Sequence, residues 1–435
     1  MADTTHDLQT LDKSYLWHPF TPMRDWCAPG HDPLVIARGQ GAWLWDTDGN
    51  RYLDGNSSIW TNIHGHRHPI IDAAIREQLD RIAHCSALGS SNEPAIRLAA
   101  ALVEKFPPGS LTRVFFSDDG STAIECACKM ALQYWQLTGQ PERVRFVAFD
   151  RAYHGDTAGA ASLGGIATFH QRFRRTGYDT HHVASLNELK ALTPENGNTI
   201  AAVAIEPLVQ GAAGMRLWPP GLLRELRQWC DDTGALLVCD EVLTGFGRTG
   251  TLFACEQEDV IPDFLALAKG LTGGYLPLAA TLTNEHIFEA FLGAPEEGKT
   301  FYYGHSYCGN PLACAAALAS LSVFDSDQTL SHLRSKRVRL ESALSRHFAD
   351  HPNVAGIRQI GLIAAIDVVK NRETGEPFAP AAQTGARICM AARKHGLLTR
   401  PIRDTLTFLP PLCTTETEIE EGIAALAAGL EETVG

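Results

Sequence analysis

An α/β fold, with a mostly parallel central sheet flanked by helices, is predicted by two features of this 435-residue chain. The first is a set of short, unbroken apolar runs: TRVFFS (112–117), VRFVAF (144–149), IAAVAIEP (200–207) and ALLVCDEV (235–242). Strands without polar alternation are buried on both faces, as in parallel sheets covered by helices. The second is helical periodicity between those runs. In STAIECACKMALQYWQ (121–136), Ile124, Ala127, Ala131 and Trp135 fall near one helix face.

Taken in order, the chain starts with a polar stretch and then GAWLWDTDGNRYLDG (41–55), whose alternation around Asp48-Gly49 predicts a hairpin. The apolar runs follow. From about residue 325 the pattern changes to a helix, GIRQIGLIAAIDVV (356–369), a helix near 380–395 and another over 415–434. The expected division is an N-terminal segment (1–65), a large domain (66–324) and a smaller α+β domain (325–435), with the hairpin folding back onto the last.

Composition narrows the function. Fifty acidic residues against 37 basic ones give a net charge of -13, which disfavours an electrostatic grip on nucleic acid or an anionic membrane. Small-molecule partners fit better. The opening MADTTHDLQT has neither a basic nor an apolar leader region, and no run approaches the ~18 apolar residues of a membrane span. A cytoplasmic protein is expected, and 11 scattered cysteines without a CxxC pair suit reduced thiols.

Three stretches bear on chemistry. FFSDDGSTAIE (115–125) runs from a strand through a glycine turn into a helix, a junction that can cradle phosphate or be a plain turn capped by Ser117 or Asp119. Asp240 ends the run ALLVC, where open α/β sheets bind ligands; its ordinary reading is a cap or ion-pair partner. Lys269 follows FLALA among small and apolar residues, and lysine is seldom buried unless paired or used. Together they meet the needs of pyridoxal 5'-phosphate (PLP): a Schiff-base lysine, a carboxylate for the pyridine nitrogen and an anion site. HGHRH (64–68) lacks the partners of a zinc site, so no metal is expected. GFGRTG (245–250) fits the letters of a dinucleotide fingerprint but does not open a helix.

With these residues in view, the chain resembles the class III PLP-dependent aminotransferases over nearly its full length. CDEVLTGFGRTGTLFACE, ALAKGLTGG and GHSYCGNPLACAAAL carry the likeness. LWHPFTPM, DGNSSIWTNIHGH, KMALQYWQ, AYHGDT and LVQGAAGM resemble the branch that serves biotin synthesis by converting 8-amino-7-oxononanoate to 7,8-diaminononanoate. The resemblance implies a fold-type I homodimer with shared active sites and ping-pong kinetics. It implies Lys269, Asp240 and Tyr153 as catalytic residues, with Gly120, Ser121, Tyr153, His154 and a neighbouring subunit's Ser306 also holding cofactor. Phe20, Trp60, Tyr153 and Arg400 would meet substrate, Arg400 through its carboxylate.

The amino donor is open between S-adenosylmethionine and L-lysine. Phe20, Ile59 and Thr407 stand where the S-adenosylmethionine-using form usually has aromatic or phenolic side chains, and the pattern resembles a lysine-using subgroup. Two rival readings are another ω-aminotransferase of the family, of the 4-aminobutyrate or ω-amino acid:pyruvate type, and a non-catalytic binding module.

Overall fold

The computed structural model describes residues 4–173, 176–196 and 199–435. Its seven-stranded sheet has the spatial order Arg113–Ser117, Ala279–Thr283, Phe264–Leu267, Leu236–Asp240, Ile200–Ile205, Arg145–Phe149 and Thr180–Val183. The last five are joined by parallel pairings, while Ala279–Thr283 runs antiparallel to both neighbours. The sheet is therefore mostly parallel, as predicted. Alternation explains its apolar runs: Val203 and Ile205 join one core layer, Ala202 and Ala204 the other.

The helix Gly120–Leu137 covers one face, burying Ile124, Ala127, Ala131 and Trp135. Its start is fixed by Asp119, whose Oδ1 accepts from the Thr122 N–H at 3.0 Å. The Trp135 indole N–H donates to the Ala201 carbonyl at 2.9 Å, tying the helix to the sheet. On the opposite face, Leu222–Thr233 buries Leu223, Leu226, Trp229 and Cys230.

The C-terminal part has its own antiparallel sheet, in the order Val354–Ile360, Ile363–Val368, Thr405–Phe408 and Pro401–Ile402. The run 356–369 is a hairpin, reversed at Gly361. There φ is +55°, and a Cβ would strike the Arg248 carbonyl, so both conformation and space call for glycine. Helices Thr329–Phe348, Thr384–Lys394 and Glu416–Val434 pack with this sheet.

Near the N-terminus, strand Trp43–Asp46 pairs with Arg51–Asp54 through the Asp48-Gly49 turn, as the alternation predicts. The buried Asp46 carboxylate accepts from the N–H groups of Asp48 and Asn50 and from the Tyr52 hydroxyl. Leu397 and Leu398 then pair in parallel with Leu53 and Asp54, joining this hairpin to the C-terminal part. Among the described residues, no helix is long and apolar enough to cross a membrane. All 11 cysteines are free thiols.

Candidate active site

Three adjacent parallel strands deliver Glu206, Asp240 and Lys269 to one edge of the large sheet. Asp240 ends Leu236–Asp240 opposite Ala266, and Lys269 follows the same strand as Ala266. Glu206 directly follows Ile205, which pairs with Cys239. This carboxyl edge is where parallel sheets leave room for a ligand. A cavity of about 420 Å³ opens there, lined by Trp60, Gly120, Ser121, Tyr153, Asp240 and Lys269. His154 and Glu206 complete the same wall.

The electrostatics centre on a buried pair. The His154 Nδ1 lies 2.7 Å from the Asp240 Oδ2, with both side chains shielded from solvent. Burial pulls His154 down, yet the Asp240 hydrogen bond and charge, with Glu206 nearby, hold it above the usual histidine value. The second Asp240 oxygen accepts from the Val242 N–H at 3.1 Å. Glu206 accepts from the N–H groups of Tyr153 at 3.2 Å and Gly211 at 2.9 Å. Burial pushes the Glu206 carboxyl up to about 7; His154 opposes the rise and the Asp240 charge adds to it.

Lys269 stands at φ +40°, an uncommon left-handed conformation for lysine. Its side chain is partly buried, and loss of water lowers its pKa; Asp240 and Glu206 act against that fall. Its Nζ sits 4.9 Å from the centre of the Trp60 ring. The Tyr153 hydroxyl donates to Asp156 at 2.5 Å, while the Asp156 N–H donates to the Ser121 Oγ at 3.1 Å. Burial and Asp156 both raise the phenol pKa.

A glycine at position 120 keeps the turn open. A Cβ there would come within 2.7 Å of Val242. The first-turn N–H groups of the helix beginning at Gly120 have no intrahelical acceptor, which suits them to an anion. Asp119 is engaged as the helix cap, and Asp118 faces His305 at 3.1 Å.

Three residues singled out in the sequence stand away from this wall. Phe20 is 54% exposed and packs edge-on against Phe169, 5.3 Å away; Phe169 in turn lies 6.3 Å from Tyr153. Ser306 is exposed. Arg400 is also exposed, and none of the described carboxylates pairs with it. Ile59 is exposed as well, whereas Thr407 is buried and donates to the Arg400 carbonyl at 2.8 Å.

The remaining motifs have structural partners. His64 packs against Phe324 and meets the Ser320 hydroxyl; His66 meets Asp54, and His68 meets Asp327. No group of metal-ligand side chains occurs among the described residues. GFGRTG forms turns and opens no helix; its Arg248 is fully buried, donating to the carbonyls of Pro410 and Asn62. Sequence reasoning passed over Glu206, although it follows a buried strand as Asp240 ends one. It also passed over Asn56 and Asp156, whose hydrogen bonds to Trp60 and to Tyr153 and Ser121 no spacing reveals.

The class-III aminotransferase family model matches residues 26–430. The chain is a class-III aminotransferase. Its cofactor is pyridoxal 5'-phosphate, and the site residues fit that group: an amine at Lys269, a carboxylate at Asp240 and an open anion turn at Gly120 and Ser121. The aminotransferase is 50% identical to the adenosylmethionine-8-amino-7-oxononanoate aminotransferase of Nitratidesulfovibrio vulgaris, over 96% of this chain and 80% of that protein. The crystal structure of the enzyme of the same name from Methanocaldococcus jannaschii superposes with a TM-score of 0.95 at 39% identity, covering 98% of this chain and 99% of that one. An amine transaminase from an uncultivated Pseudomonas species, in its PLP-bound form, gives a TM-score of 0.90 at 35% identity over 96% and 98% of the two chains.

Proposed function

We propose that this aminotransferase moves an amino group onto 8-amino-7-oxononanoate, giving 7,8-diaminononanoate for biotin synthesis. The observation that carries this substrate is the 50% identity, over 96% of the chain, to a relative bearing that activity in its name. Bound PLP supplies an electron sink that makes the amino-bearing carbon acidic. The residues of the chain do the rest.

Lys269 would hold the cofactor, and its Nζ would serve as the acid–base group that accepts and returns a proton. Burial assists by favouring its neutral, proton-accepting form. Asp240 would hold the pyridine nitrogen in its protonated form, and His154, hydrogen-bonded to the Asp240 carboxylate, would keep that carboxylate oriented. Tyr153, on the cavity wall, would pack against the cofactor ring. Gly120 and Ser121 hold the phosphate. Trp60 forms the wall of the substrate pocket, and Arg400 binds the substrate carboxylate with a planar, permanently charged group. Ser306 adds a phosphate contact across a homodimer, and Phe20 is assigned to the substrate.

S-adenosylmethionine is the donor we assign, following the relatives' name. L-lysine is the second reading, favoured by Phe20, Ile59 and Thr407. A sulfonium gains ~0.5–2 kcal/mol from an aromatic face, and these positions present one phenyl ring, one aliphatic chain and one buried hydroxyl. The deciding experiment mixes the pyridoxal form with each donor separately, without acceptor, and follows loss of the visible cofactor absorbance. Loss with S-adenosylmethionine alone supports the assignment, and loss with lysine alone replaces it. If neither reacts, and 4-aminobutyrate or another ω-amino acid does with pyruvate as acceptor, the ω-aminotransferase reading takes over.

A further inference from the structure

Trp60 reaches the cavity on an unusual piece of backbone. Ser57, Ser58, Ile59 and Trp60 have φ values of +46°, +49°, +63° and +69°. They form a left-handed turn closed by hydrogen bonds from the Trp60 N–H to the Asn56 carbonyl and from the Thr61 N–H to the Ser57 carbonyl. Residues with a Cβ avoid this conformation, so consecutive examples need support from their surroundings. The support is visible. The Ser58 N–H and hydroxyl donate to Asp54, at 3.0 and 2.8 Å, and the Ser57 hydroxyl donates to the Leu409 carbonyl at 2.5 Å.

The outcome is one indole ring held from two sides. Its N–H donates to the Asn56 Oδ1 at 2.8 Å, and because indole only donates, Asn56 must present its carbonyl oxygen. Its face lies 4.9 Å from the Lys269 Nζ. The ring packs against a buried apolar cluster that includes Val209, Leu243 and Ile363. The attraction to Lys269 exists only while the amine is charged. The bond to Asn56 does not depend on that charge.

We propose that Asn56 is a positioning residue: it fixes the Trp60 indole over Lys269, so that the ring favours the ammonium form yet stays in place when the amine becomes neutral. This rests on the reading of Lys269 as the cofactor-bearing lysine.

The test uses the full-length apo protein and labels Lys269 with a trace amine acylating reagent across a pH series, reading the modified peptide by mass spectrometry. Asn56→Leu should lower the apparent pKa of Lys269 and speed its labelling near neutral pH by about 3- to 10-fold, the range expected for loss of a cation–π contact. Trp60→Phe removes the donor from the other side and should shift the profile the same way, which serves if Asn56→Leu does not fold. In the Trp60→Phe background, Asn56→Leu should add nothing. Unchanged labelling in both single variants, or an undiminished Asn56→Leu effect in the double variant, overturns the proposal. Failure of the underlying reading would look different: Lys269→Ala would keep the visible absorbance of lysine-linked cofactor whatever Asn56 does.

Discussion

The His154 imidazole and the Asp240 carboxylate meet at 2.7 Å in the buried end of strand Leu236–Asp240. Because the folded protein holds His154 above its ordinary value, protonated His154 contributes stability that is fully present below the unfolded value of ~6.5 and is lost as pH rises through the folded one. His154→Gln should therefore cost most in acid, on the order of 3–5 kcal/mol for a broken buried pair, and progressively less in base. Urea unfolding of the apo protein from pH 5 to 9 measures this. A cost independent of pH would mean that His154 titrates in the folded protein as it does in the unfolded chain.

Lys269→Ala should keep cofactor affinity through the phosphate and ring contacts but lose the covalent link. Turnover should fall by at least the ~10²- to 10⁴-fold that a positioned acid–base group contributes. The checks are the visible spectrum after reconstitution and a single-turnover assay. Normal turnover would remove the functional assignment.

Gly120→Ala probes the anion turn. The added Cβ would sit 2.7 Å from the Val242 Cγ1, which forms part of the cavity wall. Overpacking of this kind costs ~1–3 kcal/mol, here borne by the cofactor-binding turn, so cofactor should bind about tenfold or more weakly. Val242→Ala in the same chain should recover most of that loss. Fluorescence titration of apo protein with PLP compares the variants, and equal affinity in all of them would place the phosphate elsewhere.

Much of this site could be read from local pattern because its geometry is local. Asp240 and Lys269 lie at the ends of buried parallel strands, and a run of apolar residues announces such a strand. Other elements carry no such signal. Thr180–Val183 is a polar edge strand reading THHV, and Ala279–Thr283 mixes small residues with threonine, so neither stands out from a loop. The left-handed turn at 57–60 contradicts the propensities of its own residues and is specified by Asp54 and Leu409, the second distant in sequence. Phe20, Ser306 and Arg400 came from resemblance alone, and contacts within one chain do not bring them to the cavity wall. Glu206 is the instructive omission: a single acid after IAAVAI passes as the end of a strand until its neighbours are known.

Those neighbours make Glu206 the most informative residue for pH dependence. Burial, with the nearby Asp240 charge, pushes its carboxyl up to about 7, although His154 and two backbone N–H groups pull the other way. An acid raised in the folded state favours folding below its unfolded value of ~4.3 and gives that advantage up as pH rises toward the folded value. The parent should thus lose about 3 kcal/mol of this contribution between pH ~4.3 and ~7. Glu206→Gln does not titrate, so it escapes that loss while giving up ~1 kcal/mol through a mismatched N–H contact at Tyr153 or Gly211. The stability difference should therefore move in favour of the variant across that window and level off above it. Paired urea titrations of the apo proteins at pH 4.5, 5.5, 6.5 and 7.5 would follow the change; a flat difference would mean that Glu206 ionises in the folded protein as readily as in water.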